Sequence, residues 1–264
     1  MPVPLFQAFS AGSKRKMGKY YYDLHIHSCL SPCGDADMTP NNIAGMAALK
    51  GLDIIALTDH NTCANCPAFI AACEKNGIIG IPGMELTTSE EIHLVCLFGT
   101  LEKAMDFSEL VSRERIMIKN KPEIFGEQLI LDANDEVIGN EDFLLINATQ
   151  LDLYSAVRLA EDCGGIVYPA HVDKQANGII GILGTFPATP SFSCAEFSDL
   201  SESEALALKY PILSDCFHVC SSDAHYLWDI NERLHCLDLQ ADTGSKQSDV
   251  LKQRILDILI SGGK

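Results

Sequence analysis

Basic residues are in short supply in this chain, which holds 19 Lys and Arg against 36 Asp and Glu, for a formal charge of −17. Non-specific affinity for DNA or RNA comes from Lys and Arg neutralising phosphates, so this balance argues against a long nucleic acid as partner. A small anion stays admissible where bound cations dominate the local field. Long apolar runs are lacking too. None reaches the roughly 18 residues that a membrane-spanning helix takes, and no membrane partner is expected. The opening stretch, "MPVPLFQAFSAGSKRKMGKY", carries its basic cluster after its apolar segment, the reverse of a secretory signal. A cytoplasmic location follows as the expectation, with residues 1–19 as a flexible tail. No internal repeat, linker or low-complexity block interrupts the rest, so 20–264 is expected to form one domain.

What is present is a strand–helix rhythm. Tyr20 to Ile26 reads as a short buried strand. "MTPNNIAGMAALKG" is a helix capped by Thr39, opened by Pro40 and stopped by Gly51. "LDIIALTDHN" is a strand, "CPAFIAACEKNG" a helix, "IIGIPGMEL" and "EIHLVCLFG" strands, and residues 101–119 a helix. Alternation around Asn134-Asp135 predicts a β-hairpin inserted at about 127–139. The rhythm resumes with "DLYSAVRLAEDCGG" (helix), "IVYPAH" and "CAEFS" (strands), "SESEALALKY" (helix), "FHVCSSDAH" and "LHCLDLQ" (strands), and a helix over 247–260. Repeated units of this kind predict an α/β fold, most simply a barrel of about seven strands.

The polar residues fall at strand ends. His25 and His27 close the first strand, on one face because strand side chains alternate. Asp59 and His60 close the second and Glu85 the third; His93 lies in "EIHLVC", His171 ends "VYPAHVD", and Asp223 with His225 ends "VCSSDAHY". Each has an ordinary explanation by itself: His93 as a strand residue, His171 as a turn histidine, Asp59 as a cap or a brace for His60, Asp223 as a turn residue. Together they hold six of the eight histidines at strand ends, which packing does not account for. His218 and His235 lie inside strands and read as core or surface histidines. Imidazoles mixed with a few carboxylates suit zinc, manganese or iron better than calcium or magnesium. The set is too large for one ion. A shared carboxylate such as Glu85 can bridge two, an arrangement suited to in-line displacement at phosphorus.

These pieces, "DLHIHS", "GLDIIALTDHN", "GMEL", the histidine of "EIH", "PAH" and "SSDAH", appear over about residues 20–226. In that order the sequence resembles the polymerase and histidinol phosphatase (PHP) family of metal-dependent phosphoesterases. The resemblance implies a distorted seven-stranded (β/α) barrel with a metal cleft at the strand C-termini. It implies two to three divalent ions (Zn, Mn or Fe): the first on His25, His27, Glu85 and Asp223, the second on Glu85, His93 and His171, the third on His60, His225 and one loop residue. Family members usually offer Asp or His at that last position. Here the register falls near Cys33, the first candidate, with Asp35 the second. Glu85, Asp223 and His225 are the expected catalytic residues. The implied mechanism is attack by a metal-bridged hydroxide on a phosphoester of a small phosphorylated metabolite or short nucleotide. Lys174, three residues after His171, is a candidate phosphate clamp, with Arg113 and Arg115 weaker ones. Two alternatives stay open: a non-catalytic or regulatory metal-binding module, and an amidohydrolase-type C–N hydrolase.

Eleven cysteines remain to be placed. In a reducing compartment they are thiols or metal ligands rather than disulfides. Cys29 and Cys33 flank the turn after the first strand, and Cys63 and Cys66 follow the second. Their spacing allows a small thiolate-bound metal site. The competing expectation is that these cysteines are buried apolar residues.

Overall fold

The computed structural model describes residues 16–241 and 249–262. Strand β1 runs over Lys16–Ile26 and is followed by α1 (Pro40–Lys50), β2 (Ile54–Leu57), α2 (Cys66–Asn76), β3 (Ile79–Thr87), β4 (His93–Phe98) and α3 (Leu101–Glu114). Next come α4 (Pro122–Phe125), β5 (Leu129–Leu131), β6 (Val137–Asn140), α5 (Leu153–Asp162), β7 (Gly165–Pro169) and α6 (Ile179–Leu183). The last elements are β8 (Cys194–Phe197), α7 (Ser203–Lys209), β9 (Phe217–Cys220), β10 (Cys236–Ala241) and α8 (Asp249–Ile260). Of the expected 1–19 tail, residues 1–15 lie outside the described residues, whereas β1 already begins at Lys16. Of the final helix expected at 247–260, residues 247 and 248 also lie outside them.

Local chemistry explains the helix ends. Thr39 caps α1 by accepting from Asn42 N, Pro40 occupies its first turn, and Gly51 stops it with φ +75°. Asp152 caps α5 by accepting from Ser155 N at 2.8 Å. Helix α3 stops earlier than the expected 119, because Arg115 turns extended and forms a bridge to Thr149. The predicted hairpin is the antiparallel β5–β6 pair.

Six strands form one sheet in the order β10-β1-β2-β3-β4-β7, and β8 and β9 form a second, parallel pair. The sheet is mixed, not parallel throughout as a regular barrel would have it. β1, β2 and β3 are parallel, but β4 is antiparallel to both its neighbours and β10 is antiparallel to β1. Alternate residues supply two cores. Ile55 and Leu57 of β2 face one core with Ile43, Ala47, Phe69 and Ala72 of α1 and α2. Ile54 and Ala56 face the other with Ile79, Ile81, Val95, Leu97 and Tyr168, against Leu251, Ile255, Leu256 and Leu259 of α8. Each such Ile or Leu contributes about 1.5–3 kcal/mol by leaving water. The two-sided burial of β2 is what a central parallel strand requires. The result is a curled α/β sheet with helices packed on it.

Candidate metal centre

Six segments bring the predicted residues to one end of the sheet. His25 and His27 alternate on β1 and just beyond it. His60 follows β2 and forms a parallel bridge with Glu85 of β3. Because β4 runs the other way, its first residue, His93, pairs with Thr87, the last of β3. His171 follows β7, and the segment after β9 is drawn against β1 by the Ile26–Ala224 bridge, which carries in Asp223 and His225. Asn61, His171 and Asp223 adopt left-handed backbone, with φ of +52°, +31° and +53°. Non-glycine residues hold that conformation at a cost, and such strain gathers at functional sites.

The innermost group is His25, His27, Glu85 and Asp223. His25 Nε2 lies 3.2 Å from His27 Nε2, 3.3 Å from Glu85 Oε1 and 3.4 Å from Asp223 Oδ1. His27 Nε2 lies 3.4 Å from Glu85 Oε2 and 3.2 Å from Asp223 Oδ1. Donor atoms about 2.0–2.1 Å from a tetrahedral ion stand about 3.3–3.4 Å from one another. Five separations of 3.2–3.4 Å among the donor atoms of four residues, with Glu85 offering both its oxygens, therefore match the edges of a coordination shell, and the residues fit a transition-metal ion.

Glu85, almost fully buried, is the hub. His93 Nδ1 is 2.7 Å from its Oε1, His171 Nε2 3.3 Å from the same oxygen, and His60 Nδ1 3.0 Å from Oε2. His60 Nδ1 and Glu85 Oε2 face each other without hydrogen-bond geometry, so both buried atoms lack a partner. Donor atoms left unpaired in a low-dielectric interior are costly unless a cation satisfies them. Two further groups able to hold an ion are His60 with Glu85 and His93, and His27 with His60 and His225. His60 thus belongs to two groups, where the sequence reading placed it in the outer one alone.

A supporting layer orients these rings. His25 Nδ1 donates to Glu196 Oε1 at 2.8 Å, and His171 N donates to the same oxygen at 3.2 Å. Asp59 accepts from Ser28 N, Ser28 Oγ and Ser31 Oγ at 2.6–2.7 Å, and Ser31 Oγ lies 3.0 Å from His27 Nδ1. The contacts on His25 Nδ1 and His27 Nδ1 leave each Nε2 facing the cluster, the arrangement a ligating histidine requires. His225 is held likewise, by a 2.8 Å contact from Nδ1 to the Asp223 carbonyl. Asp59 therefore braces the loop after β1 as well as standing beside His60. Glu196 went unnoticed in the sequence, although a charged residue inside the apolar run "CAEF" of a buried strand was its signal.

The electrostatics follow from this crowding. Burial would raise Glu85, but the imidazoles of His93, His25 and His60 outweigh it and hold the carboxyl well below its usual range. Burial likewise opposes charge on His25, yet Glu196, Glu85 and Asp223 lift it well above an ordinary imidazole. His27 and His60 are carried up to about 9 against the same burial, His27 by Asp223 and Glu85 and His60 chiefly by Glu85. His225 goes the other way, down to about 3, through burial and the nearby His27.

The remaining candidates separate clearly. Lys174, partly exposed, has Nζ 3.0 Å from Asp223 Oδ2, at the edge of the inner group. Asp35 turns back on its own loop, accepting from Asp37 N. Cys33 lies against a ring: its Sγ is 3.0 Å from His225 Nε2. Arg113 pairs with Glu109 on the exposed face of α3 and Arg115 with Glu141, so neither arginine serves the site. The four-thiol site does not form. Cys63 and Cys66 are buried in a hydrophobic core with their thiols on the Gly83 carbonyl, and Cys29 is buried apart from the exposed Cys33. His218 bonds the Leu213 carbonyl and packs on Phe197, a structural role as expected.

Fold and site together define a metal-binding α/β protein built on histidines and carboxylates. The chain belongs to the PHP domain family, whose profile matches residues 23–162. It is 37% identical over 79 residues to the 5'-3' exoribonuclease of Haemophilus influenzae, a match covering 29% of this chain and 28% of that protein. It is 34% identical over 77 residues to a 3',5'-nucleoside bisphosphate phosphatase of Chromobacterium violaceum, covering 29% and 26%. The matched stretch is thus under a third of either relative's length. A solved amidohydrolase from Chromobacterium violaceum superposes with a TM-score of 0.52 at 19% identity, over 90% of this chain and 96% of that one. At that identity the likeness concerns the fold. No helix among the described residues is long and apolar enough to cross a membrane.

Proposed function

We propose that the protein is a metal-dependent hydrolase of phosphoesters, acting on a small phosphorylated metabolite or a short nucleotide. The observation that carries this is the set of donor separations around Glu85, which has the dimensions of a transition-metal shell. The named activities of the two relatives, an exoribonuclease and a bisphosphate phosphatase, both act on phosphoesters and support the same class. In this reading β1, β2, β3, β4, β7, β8 and β9 are the seven strands of a distorted barrel, with β10 added at its edge. The cleft lies where Glu85, His171 and Asp223 end or follow their strands.

His25, His27, Glu85 and Asp223 would hold one ion, and Glu85, His93 and His171 a second. Such ions, of zinc, manganese or iron, would supply Lewis acidity that activates water near neutral pH and offsets phosphate charge. The chain's own part is orientation. Glu196, Ser31 and the Asp223 carbonyl fix the tautomers of three rings. Lys174 would exchange its contact with Asp223 for a phosphate oxygen. The charge of −17 favours a small substrate over a long nucleic acid, and the expected setting is the cytoplasm.

Glu85→Gln tests the reading, because it keeps the shape and removes the charge. Elemental analysis should show at least one ion lost, and turnover on a panel of phosphorylated metabolites should fall by at least the order of 100-fold, with circular dichroism unchanged. Full metal occupancy and unchanged turnover in that variant would overturn the assignment. Amine release without phosphate release from the wild type would indicate C–N hydrolysis, and metal loading without any turnover a regulatory module.

A further inference from the structure

The outermost group, His27, His60 and His225, differs from the other two in having no carboxylate of its own. A divalent ion held by neutral imidazoles alone would keep its full charge in a largely buried corner. Beside it lies the sulfur of Cys33, 3.0 Å from Nε2 of His225, whose ring centroid is 6.2 Å from that of His60. His225 Nδ1 is committed to the Asp223 carbonyl at 2.8 Å, so its Nε2 is the acceptor and the Cys33 S–H points its proton at it. A cation entering between the two would take the position of that proton. The loop that carries Cys33 is built for one conformation. Gly34 N donates to the Ser31 carbonyl at 2.8 Å and Asp35 N to the His225 carbonyl at 2.9 Å. A Cβ on Gly34 would come within 2.4 Å of the Ser28 carbonyl oxygen, so the backbone is closely packed there. A second observation points to an ion in this corner, namely that the ring nitrogens of His27, His60 and His225 converge closely enough to share one. Cys33 is also the one cysteine of the eleven that is exposed, so the corner is open to incoming ions.

We infer that Cys33 supplies a thiolate to a third, sulfur-bearing subsite with His60 and His225, and that this subsite selects a thiophilic ion such as zinc over manganese. The inference rests on the metal-centre reading above and adds to it a division of labour. The inner positions offer nitrogen and oxygen, which accept manganese, iron or zinc alike, whereas a thiolate with imidazoles favours zinc. Binding releases the Cys33 proton to solvent, since the thiolate is the ligand.

Cobalt(II) substitution reads the sulfur directly. The cobalt-loaded wild type should show a near-ultraviolet sulfur-to-metal charge-transfer band in addition to its visible ligand-field bands. Cys33→Ser should lose that band and one equivalent of metal while keeping the rest. Cys33→Asp should restore the equivalent without the band, and should accept manganese there. In the wild type, zinc should protect Cys33 from alkylation, followed by peptide mass spectrometry. Visible cobalt bands without a charge-transfer band, or alkylation of Cys33 at one rate with and without zinc, would overturn the inference and leave the inner centre standing. If neither wild type nor Cys33→Ser binds cobalt, the metal-centre reading fails and the inference fails with it.

Discussion

A carboxylate on the far nitrogen of a ligating imidazole locks its tautomer and raises its basicity. Glu196 stands in that relation to His25 and also takes the His171 backbone N–H, so one side chain steadies ligands from β1 and from the segment after β7. Glu196→Gln should lower metal affinity by about 10–100-fold while the fold persists, as a competition titration against a chromophoric chelator would read. Unchanged affinity would make Glu196 a packing residue only. Protons compete for the same rings. With His27 and His60 carried up to about 9, both are charged in the metal-free protein at neutral pH, and an ion must displace those protons. Apparent affinity should therefore climb with pH toward about 9 and level off above it. Calorimetry in buffers of differing ionisation enthalpy would show the protons released, and none released would contradict the raised values. The same shift stabilises the metal-free fold fully below the ordinary imidazole range, and that contribution fades as pH rises through about 9. The eight residues proposed as donors were legible in the sequence because chemistry of this kind needs particular residue types. Glu196 was less so, since one carboxylate in an apolar strand carries no motif.

Among the elements, α1 was readable end to end, because Thr39, Pro40 and Gly51 each have a local reason to stand where they do. The direction of β4 was not, since an alternation of apolar residues reads the same either way. The signal lay in the connection: residues 88–92 are too few for the crossover that a parallel neighbour of β3 needs, about a dozen residues. That reversal is what puts His93 within reach of Glu85. The contact between these two strands is correspondingly tight. A Cβ on Gly83 would stand 2.7 Å from the Cys96 carbonyl oxygen and 2.7 Å from Leu97 Cδ2. Gly83→Ala should destabilise the metal-free protein by about 1–3 kcal/mol in denaturant unfolding. Metal affinity should fall alongside, because Glu85 lies two residues further along the same strand. An unmoved unfolding midpoint would show that β3 and β4 can part without loss. The loop after β1 was also only half legible, since it offered both Cys33 and Asp35 and only its folded path shows that Cys33 is the one beside His225.

At the scale of the whole molecule, net charge sets what can approach. A surface at −17 repels a polyanion over about a Debye length, roughly 10 Å at 0.1 M salt. Side-by-side rates should therefore favour a nucleoside phosphate or short oligonucleotide over plasmid DNA, and the gap should narrow as salt is raised. Faster hydrolysis of the plasmid at moderate salt would contradict this. The pairing of β1 with β10 has a consequence of another kind. Tyr20 is registered against Leu237, and the donors of the inner group span from His25 to Asp223. Such distant pairings must meet their loop-closure entropy before they are rewarded, so they form late. A chain emerging from the ribosome presents His25, His27, His60 and Glu85 well before Asp223. For much of its synthesis it carries a carboxylate among imidazoles with the group still open, which closes only when the segment after β9 brings in Asp223.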